Sequence, residues 1–363
     1  MAIELKVGII GVNTSGGWAA EAHVPAVQAV DGLRLTAVAA GSQVAADEAA
    51  QAFGVAKGYG DGLALIADPD IDVVTVATRV PGHRDLLLAA LAAGKHVYSE
   101  WPLGAGSHQA REIADAARTA GVRHAIGLQL RESPAVRMAQ DILGSGALGR
   151  ILSVGVSSTT AGFGPDVPPQ FAYLEDPATF ANMVTIQGAH TVDLLIALAG
   201  PLASMVALGS RQFLQIAVGS PRQPRERITF DHLLLQGRHA TGAPFALEVV
   251  GGRTGETPFQ LDLVGEKGHL RLDGGAPRGL QAGRIGLIRD GDRQAIDEGP
   301  FARLSDAAIN VAGVYAVLRD DIVRGSATVT DFAHALRLTR LIEDVLAAAQ
   351  VDTRAKGADW PVH

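Results

Sequence analysis

The chain has 363 residues, 47% apolar and 19% charged, with a formal net charge of −7 and no cysteine. That length exceeds what one hydrophobic core usually supports, and the composition predicts packed globular domains rather than disorder. An acidic balance without a Lys/Arg run argues against nucleic acid and anionic membranes as partners, and the missing thiols exclude disulfides, thiolate catalysis and cysteine-ligated zinc.

The opening residues Met1–Lys6 lead straight into an apolar strand, so no signal peptide is expected. The apolar runs Val73–Ala77 and Leu194–Ala199 are too short to span a bilayer, and the cytoplasm is the expected location. Strands are predicted at Val7–Gly11, Leu33–Ala40, Ile71–Ala77, His96–Ser99 and Ala125–Gln129. Helices are predicted between them at Trp18–Val30, Ala45–Phe53, Leu86–Ala93 and Gln109–Ala120, the last two stopped by Gly94 and Gly121. This alternation predicts an α/β fold with a doubly wound parallel sheet, a Rossmann-type domain.

The pattern changes after residue 127. A helix at Ala135–Leu143 and a strand at Ile151–Thr159 precede a Gly/Pro-rich loop, Gly162–Pro169, and a helical patch, Thr191–Leu198. Strand candidates then dominate: Met205–Leu208, His232–Gln236, Phe245–Val250, Gln260–Val264, His269–Leu272 and Ile285–Ile288. Their turn-separated spacing predicts a large, mostly antiparallel open sheet. Helices at Asn310–Arg324 and Thr330–Ala349 close the fold, with Asp331 expected in the first turn of the second. The expected domains are 1–127, binding a dinucleotide, and 128–363, binding substrate and mediating assembly.

The first strand runs into Gly11-Val12-Asn13-Thr14-Ser15-Gly16-Gly17-Trp18. A pyrophosphate needs glycine at the tight turn, close backbone approach and a helix N-terminus aimed at it, and this segment supplies all three. Asn13 stands at the second glycine position of G-x-G-x-x-G, where its tolerance of left-handed backbone keeps the turn feasible. At the end of the second strand, Ala40-Gly41-Ser42-Gln43 lacks the carboxylate that NAD-selective sites use on the ribose 2′-hydroxyl. NADP is therefore preferred over NAD, with Ser42 and Gln43 as donors to the 2′-phosphate. Thr78 and Arg79 sit at a strand's carboxyl end, where open α/β sheets bind ligands. No His/Asp/Glu cluster has metal-ligand spacing.

Several blocks together resemble the Gfo/Idh/MocA oxidoreductases. They are Val73–Thr78 with His83, Ala92-Ala93-Gly94-Lys95-His96-Val97, Glu100-Trp101-Pro102-Leu103 and Gly188-Ala189-His190-Thr191-Val192-Asp193. The G-x-N-x-x-x-G-W turn, Glu100-Trp101, Leu128–Pro134 and Asp231–Gly237 resemble a regulatory subgroup, that of the fungal galactose-pathway repressor. The resemblance implies NAD(P), a sugar-like or polyol substrate, and a homodimer or homotetramer formed through the C-terminal sheet. It assigns Glu100, Trp101, His83, Gln129 and Arg131 to the cofactor side. His190, with Asp193 and Trp101 beside it, forms the catalytic set.

Two departures qualify that reading. The family usually has Lys where this chain has Trp101, and indole offers one N–H and no titratable group near neutrality. Ile186 stands where family dehydrogenases often carry Asp. His190 remains as general acid/base, or else is satisfied by polar neighbours. Trp18 covers the cofactor or packs in the core; Arg131 anchors cofactor or substrate, or forms an interdomain ion pair. Phe163, Tyr173 and Gln187 are expected in the substrate pocket from their position near the loop and the His190 block. The leading expectation is an NADP-dependent dehydrogenase or reductase acting on CH–OH. The alternatives are a cofactor-binding regulator without turnover and a nicotinamide-assisted lyase or glycosidase.

Overall fold

The computed structural model describes residues 3–350, so the expected opening Met1-Ala2 and the end of the second domain, 351–363, lie outside the described residues. Six strands form a parallel sheet: β1 (Leu5–Ile10), β2 (Leu33–Ala39), β3 (Lys57–Tyr59), β4 (Val73–Val76), β5 (His96–Glu100) and β6 (His124–Gly127). Their order is β3-β2-β1-β4-β5-β6. The order reverses between β1 and β4, which opens a crevice at their carboxyl ends. Every residue of β4 is buried, as expected of a strand covered on both faces. The short strand β3 was not predicted from sequence, because Lys57-Gly58-Tyr59 carries neither an apolar run nor β-branched residues.

One covering layer comes from the far end of the chain. The helix Asp306–Arg324 buries Val311, Ala312, Tyr315 and Leu318 in one cluster with Val7, Ile9, Ala22 and Val27. The expected division at residue 127 therefore describes the chain order, while the dinucleotide-type sheet is completed in space by this returning helix. The closing helix Phe332–Gln350 packs on the helix Ser107–Ala120 and on the strand Leu202–Ser210. Asp331 lies just before that helix rather than in its first turn, where its carboxylate accepts from His334 N–H at 2.8 Å as a cap.

The second sheet has eight strands, in the spatial order Asp292–Arg293, Ile285–Arg289, His269–Gly274, Phe259–Gly265, Ile151–Thr159, Pro244–Val250, His232–His239 and Leu202–Ser210. Ile151–Thr159 and Pro244–Val250 run parallel; the other neighbours are antiparallel. Its inner face buries Leu233, Leu235, Leu247, Leu261 and Leu272. The outer face leaves Val206, Leu208 and Leu234 exposed beside a concavity of about 610 Å³. A three-stranded sheet of Asp166–Val167, Gln215–Val218 and Gln223–Glu226 ties down the Gly/Pro-rich loop; the first strand is too short and the last too polar to give an alternating signal. Among the described residues no helix is long and apolar enough to cross a membrane.

Two wide π-helical turns interrupt the helices that face the cleft. Ala19–His23 opens the helix after the glycine turn, and Val184–Gly188 leads into the helix Ala189–Ala199 that carries His190. Such turns re-aim side chains and recur at functional sites.

Candidate dinucleotide cleft and the His190 site

The glycine turn has the backbone a pyrophosphate would require, with Asn13 contributing its side chain rather than a left-handed backbone. Gly11, Gly16 and Gly17 have φ of +102°, +109° and +111°, and Asn13 is not among the residues with positive φ. Asn13 instead folds the loop through its side chain, whose Oδ1 accepts from the Ser15 amide and hydroxyl, both at 2.9 Å. A Cβ on Gly11 would lie 2.6 Å from the Ala77 carbonyl oxygen, so β1 and β4 approach closely only because residue 11 is glycine. Space beside Gly17 is open, and Asn13, Thr14, Ser15 and Gly17 are exposed at the rim.

At the end of β2 the expected donors are largely committed. Ser42 caps the helix Gln43–Phe53, accepting from Ala45 N–H at 3.3 Å, and its hydroxyl hydrogen stays free. The Gln43 amide is spent: its nitrogen donates to Asp47 and to the Gly58 carbonyl, and its oxygen accepts from Gly60 N–H. Gln43 therefore shapes the β2–β3 rim.

The wall beyond β4 and β5 shows the same pattern. His83 is buried, with one ring nitrogen 2.9 Å from the Pro102 carbonyl and the other 2.9 Å from the Thr78 carbonyl. Burial holds its pKa down, and its two ring nitrogens join the loop after β4 to the loop after β5. Trp101 precedes a cis peptide bond to Pro102 and donates its only N–H to the Thr185 carbonyl at 2.7 Å. It thus clamps the loop after β5 to the π-helical turn before the His190 helix. Arg79 is exposed and lies over the Tyr173 ring, 5.1 Å from its centre, bridging β4 to the loop of the second domain. Thr78 is half-buried beside it.

His190 is 5% exposed, on the first turn of its helix. Burial pushes its pKa down to about 4, against the opposing pull of the Glu100 and Asp193 carboxylates. The ring is therefore neutral at physiological pH, and it has no hydrogen-bond partner among the described residues. Asp193 does not turn to His190. Its carboxylate takes Arg131 at 2.8 and 2.7 Å and His334 at 2.6 Å. Burial alone would raise that carboxyl, but these two partners hold it low. Asp193 and Arg131 thus form an internal ion pair.

Gln187 is buried, donates to the Arg278 carbonyl at 3.1 Å, and has an unpartnered Oε1. Phe163 is held at φ +64° in the Gly/Pro-rich loop. That loop is anchored by Arg227, the largest fully buried side chain, which donates to the Phe163 and Gly164 carbonyls and pairs with Glu175 and Asp231. Sequence reasoning missed Arg227, His334, Arg278, His23 and Tyr315. A lone buried cation or a histidine far along the chain has no periodic signature, although Arg227 and Asp231 do stand at i, i+4. Trp18 is half-buried under Arg278, whose guanidinium lies 5.4 Å from the ring centre and pairs with Glu21.

The residues present fit a dinucleotide. The glycine turn leaves open space for an anion, and the Gln129 side chain is fully buried with both its oxygen and nitrogen unpartnered among the described residues. An unmet buried amide costs about 1–3 kcal/mol per group. One donor beside one acceptor matches a primary carboxamide. The described residues contain no cluster of three metal-ligating side chains.

A parallel sheet with a glycine turn at its switch point, beside a helix that carries a buried histidine and an open eight-stranded sheet, has the architecture of a Rossmann-type dinucleotide-binding protein. Residues 5–128 match the oxidoreductase family with an NAD-binding Rossmann fold, and residues 134–274 match the C-terminal domain of Gal80p. The first part of the chain is thus similar to the Gfo/Idh/MocA oxidoreductases and the part that follows to the C-terminal domain of Gal80p. The chain is 29% identical over 290 residues to dehydrogenase aclE of Aspergillus oryzae, covering 76% of this chain and 78% of that one. It is 25% identical over 295 residues to the galactose/lactose metabolism regulatory protein GAL80 of Saccharomyces cerevisiae, covering 76% and 68%. Levoglucosan dehydrogenase in complex with NADH and levoglucosan superposes with a TM-score of 0.81 at 20% identity, covering 95% of this chain and 97% of that one.

Proposed function

We propose that the chain is an NADP-dependent oxidoreductase moving a hydride between the nicotinamide and a CH–OH or carbonyl group of a sugar-like or polyol substrate. The observation that carries this reading is a neutral, hydrogen-bond-free His190 buried within the electrostatic reach of Glu100, at the carboxyl end of β5. When bound, the nicotinamide supplies the hydride chemistry. The amides of Gly11–Gly17 would cradle the pyrophosphate. His190 takes the hydroxyl proton at a ring nitrogen during oxidation and returns it during reduction. Burial keeps the resting ring neutral, and the Glu100 and Asp193 charges favour the imidazolium as it forms. Tyr173, Phe163 and Gln187 line the substrate side, with Arg79 fixing Tyr173.

NADP over NAD rests on Ala40-Gly41-Ser42, which presents no carboxylate, with the Ser42 hydroxyl still able to donate. The exposed apolar outer face of the eight-stranded sheet supports a homodimer or homotetramer. A cytoplasmic location belongs to the same proposal. The test is turnover with a panel of sugars and polyols, followed at the reduced-nicotinamide absorbance band. At least one substrate turns over, and His190→Gln lowers kcat about 10²–10⁴-fold; no turnover by protein that binds the dinucleotide rejects the enzyme.

Trp101 supports a second reading. Its single N–H is committed to Thr185, so nothing replaces the family's lysine, and a dinucleotide-binding regulator without turnover fits that loss. A protein partner captured only when dinucleotide is present favours the regulator.

A further inference from the structure

Glu100 ends β5, and its Oε1 lies 3.0 Å from Nε2 of His23. The other nitrogen of that ring, Nδ1, lies 2.9 Å from the Tyr315 hydroxyl, which in turn lies 2.7 Å from the Thr75 hydroxyl. His23, Tyr315 and Thr75 are fully buried. The chain of contacts thus joins β5, the π-helical turn after the glycine loop, the returning helix and β4. Tyr98 packs its ring against both His23 and Tyr315, with centres 4.9 and 4.8 Å apart. A Cβ at position 127 would lie 2.5 Å from Glu100 Oε1, so Gly127 keeps the carboxylate's place open.

The hydrogens along this chain have two consistent arrangements. With Glu100 ionised and His23 neutral, Nε2–H donates to Glu100, Nδ1 accepts from Tyr315, and Tyr315 accepts from Thr75. With one more proton on the pair, Nδ1–H donates to the Tyr315 oxygen and the Tyr315 hydroxyl turns to Thr75. A hydroxyl both donates and accepts, so every heavy-atom contact survives the reversal. Burial pushes the Tyr315 phenol far up, so it stays protonated in both arrangements.

We propose that Glu100 and His23 form a proton-holding pair that takes up a proton from solvent when the reduced dinucleotide, rather than the oxidised one, occupies the cleft. This rests on the cleft being a dinucleotide site. The oxidised nicotinamide ring carries a positive charge that the reduced ring lacks, and a nearby cation favours an ionised carboxylate. Oxidation of an alcohol releases one hydride to the cofactor and one proton. His190 takes that proton, the one the pair binds comes from solvent, and His23 acts through Glu100 as a positioning residue. The titratable groups facing the pair are Tyr98, Tyr315, His83 and His190, with Glu132 acting on Tyr98.

The experiment is calorimetric titration of oxidised and reduced NADP into the full chain near neutral pH, in two buffers of different ionisation enthalpy. The buffer dependence counts protons taken up on binding. The reduced form takes up more protons than the oxidised form, and the difference disappears in His23→Gln and in Tyr315→Phe, which keeps the ring packing. Equal proton numbers for the two forms overturn the pair while leaving the cleft intact, and so does a folded Tyr315→Phe variant that retains the difference. Binding of neither form overturns the cleft and the pair together.

Discussion

Arg131 grips Asp193 at two points, Nε to Oδ2 at 2.8 Å and Nη2 to Oδ1 at 2.7 Å, and His334 closes on the same carboxylate. The pair joins the turn after β6 to the helix of His190 and to the closing helix. Removing one member of a buried pair strands the other charge, at a cost of about 3–5 kcal/mol. Arg131→Met is expected to lose stability on that scale in denaturant unfolding. It also lowers kcat, because His190 sits one turn from Asp193.

Arg227 organises the loop that carries Phe163 and Tyr173. Its guanidinium binds two loop carbonyls, Glu175 and Asp231, and Asp231 accepts from the Gln212 and Phe213 amides. Arg227→Met leaves two buried carboxylates uncompensated, and a loss of roughly 3–5 kcal/mol is expected. In kinetics the variant raises KM for substrate while its dinucleotide affinity stays close to that of the parent, since the glycine turn lies in the other domain.

His190 gives a pH prediction with a definite sign. Its ordinary value of 6.5 falls to about 4 in the folded chain. The folded state therefore binds fewer protons than the unfolded state between those values, and stability is lost as pH falls through that window. The contribution of this group is up to about 3 kcal/mol. Unfolding measured from pH 7 downward shows this acid loss, and His190→Gln flattens it. The acid limb of kcat/KM lies well below 6.5 as well.

Much of the fold could be read from the chain, because buried parallel strands and glycine-stopped helices leave local patterns. Gly11 to Gly17 and His190 were legible for that reason. What escaped is non-local. Tyr315 lies 292 positions from His23, yet completes its hydrogen bonding. The polar atoms of Trp101, His83 and Gln43 turn to backbone carbonyls and amides that only the folded chain brings close. Asn13 was assigned a backbone role and performs a side-chain one.

The central claim is that the glycine turn holds a nicotinamide dinucleotide. Its most direct measurement is calorimetric titration of NADP and of NAD into folded, cofactor-stripped chain, alongside Gly11→Ala. That variant combines φ of +102° with a Cβ 2.6 Å from the Ala77 carbonyl oxygen. The account predicts saturable binding by the parent, tighter for NADP, and its loss in a variant that still folds. Absence of binding heat for both dinucleotides with the parent chain would contradict it.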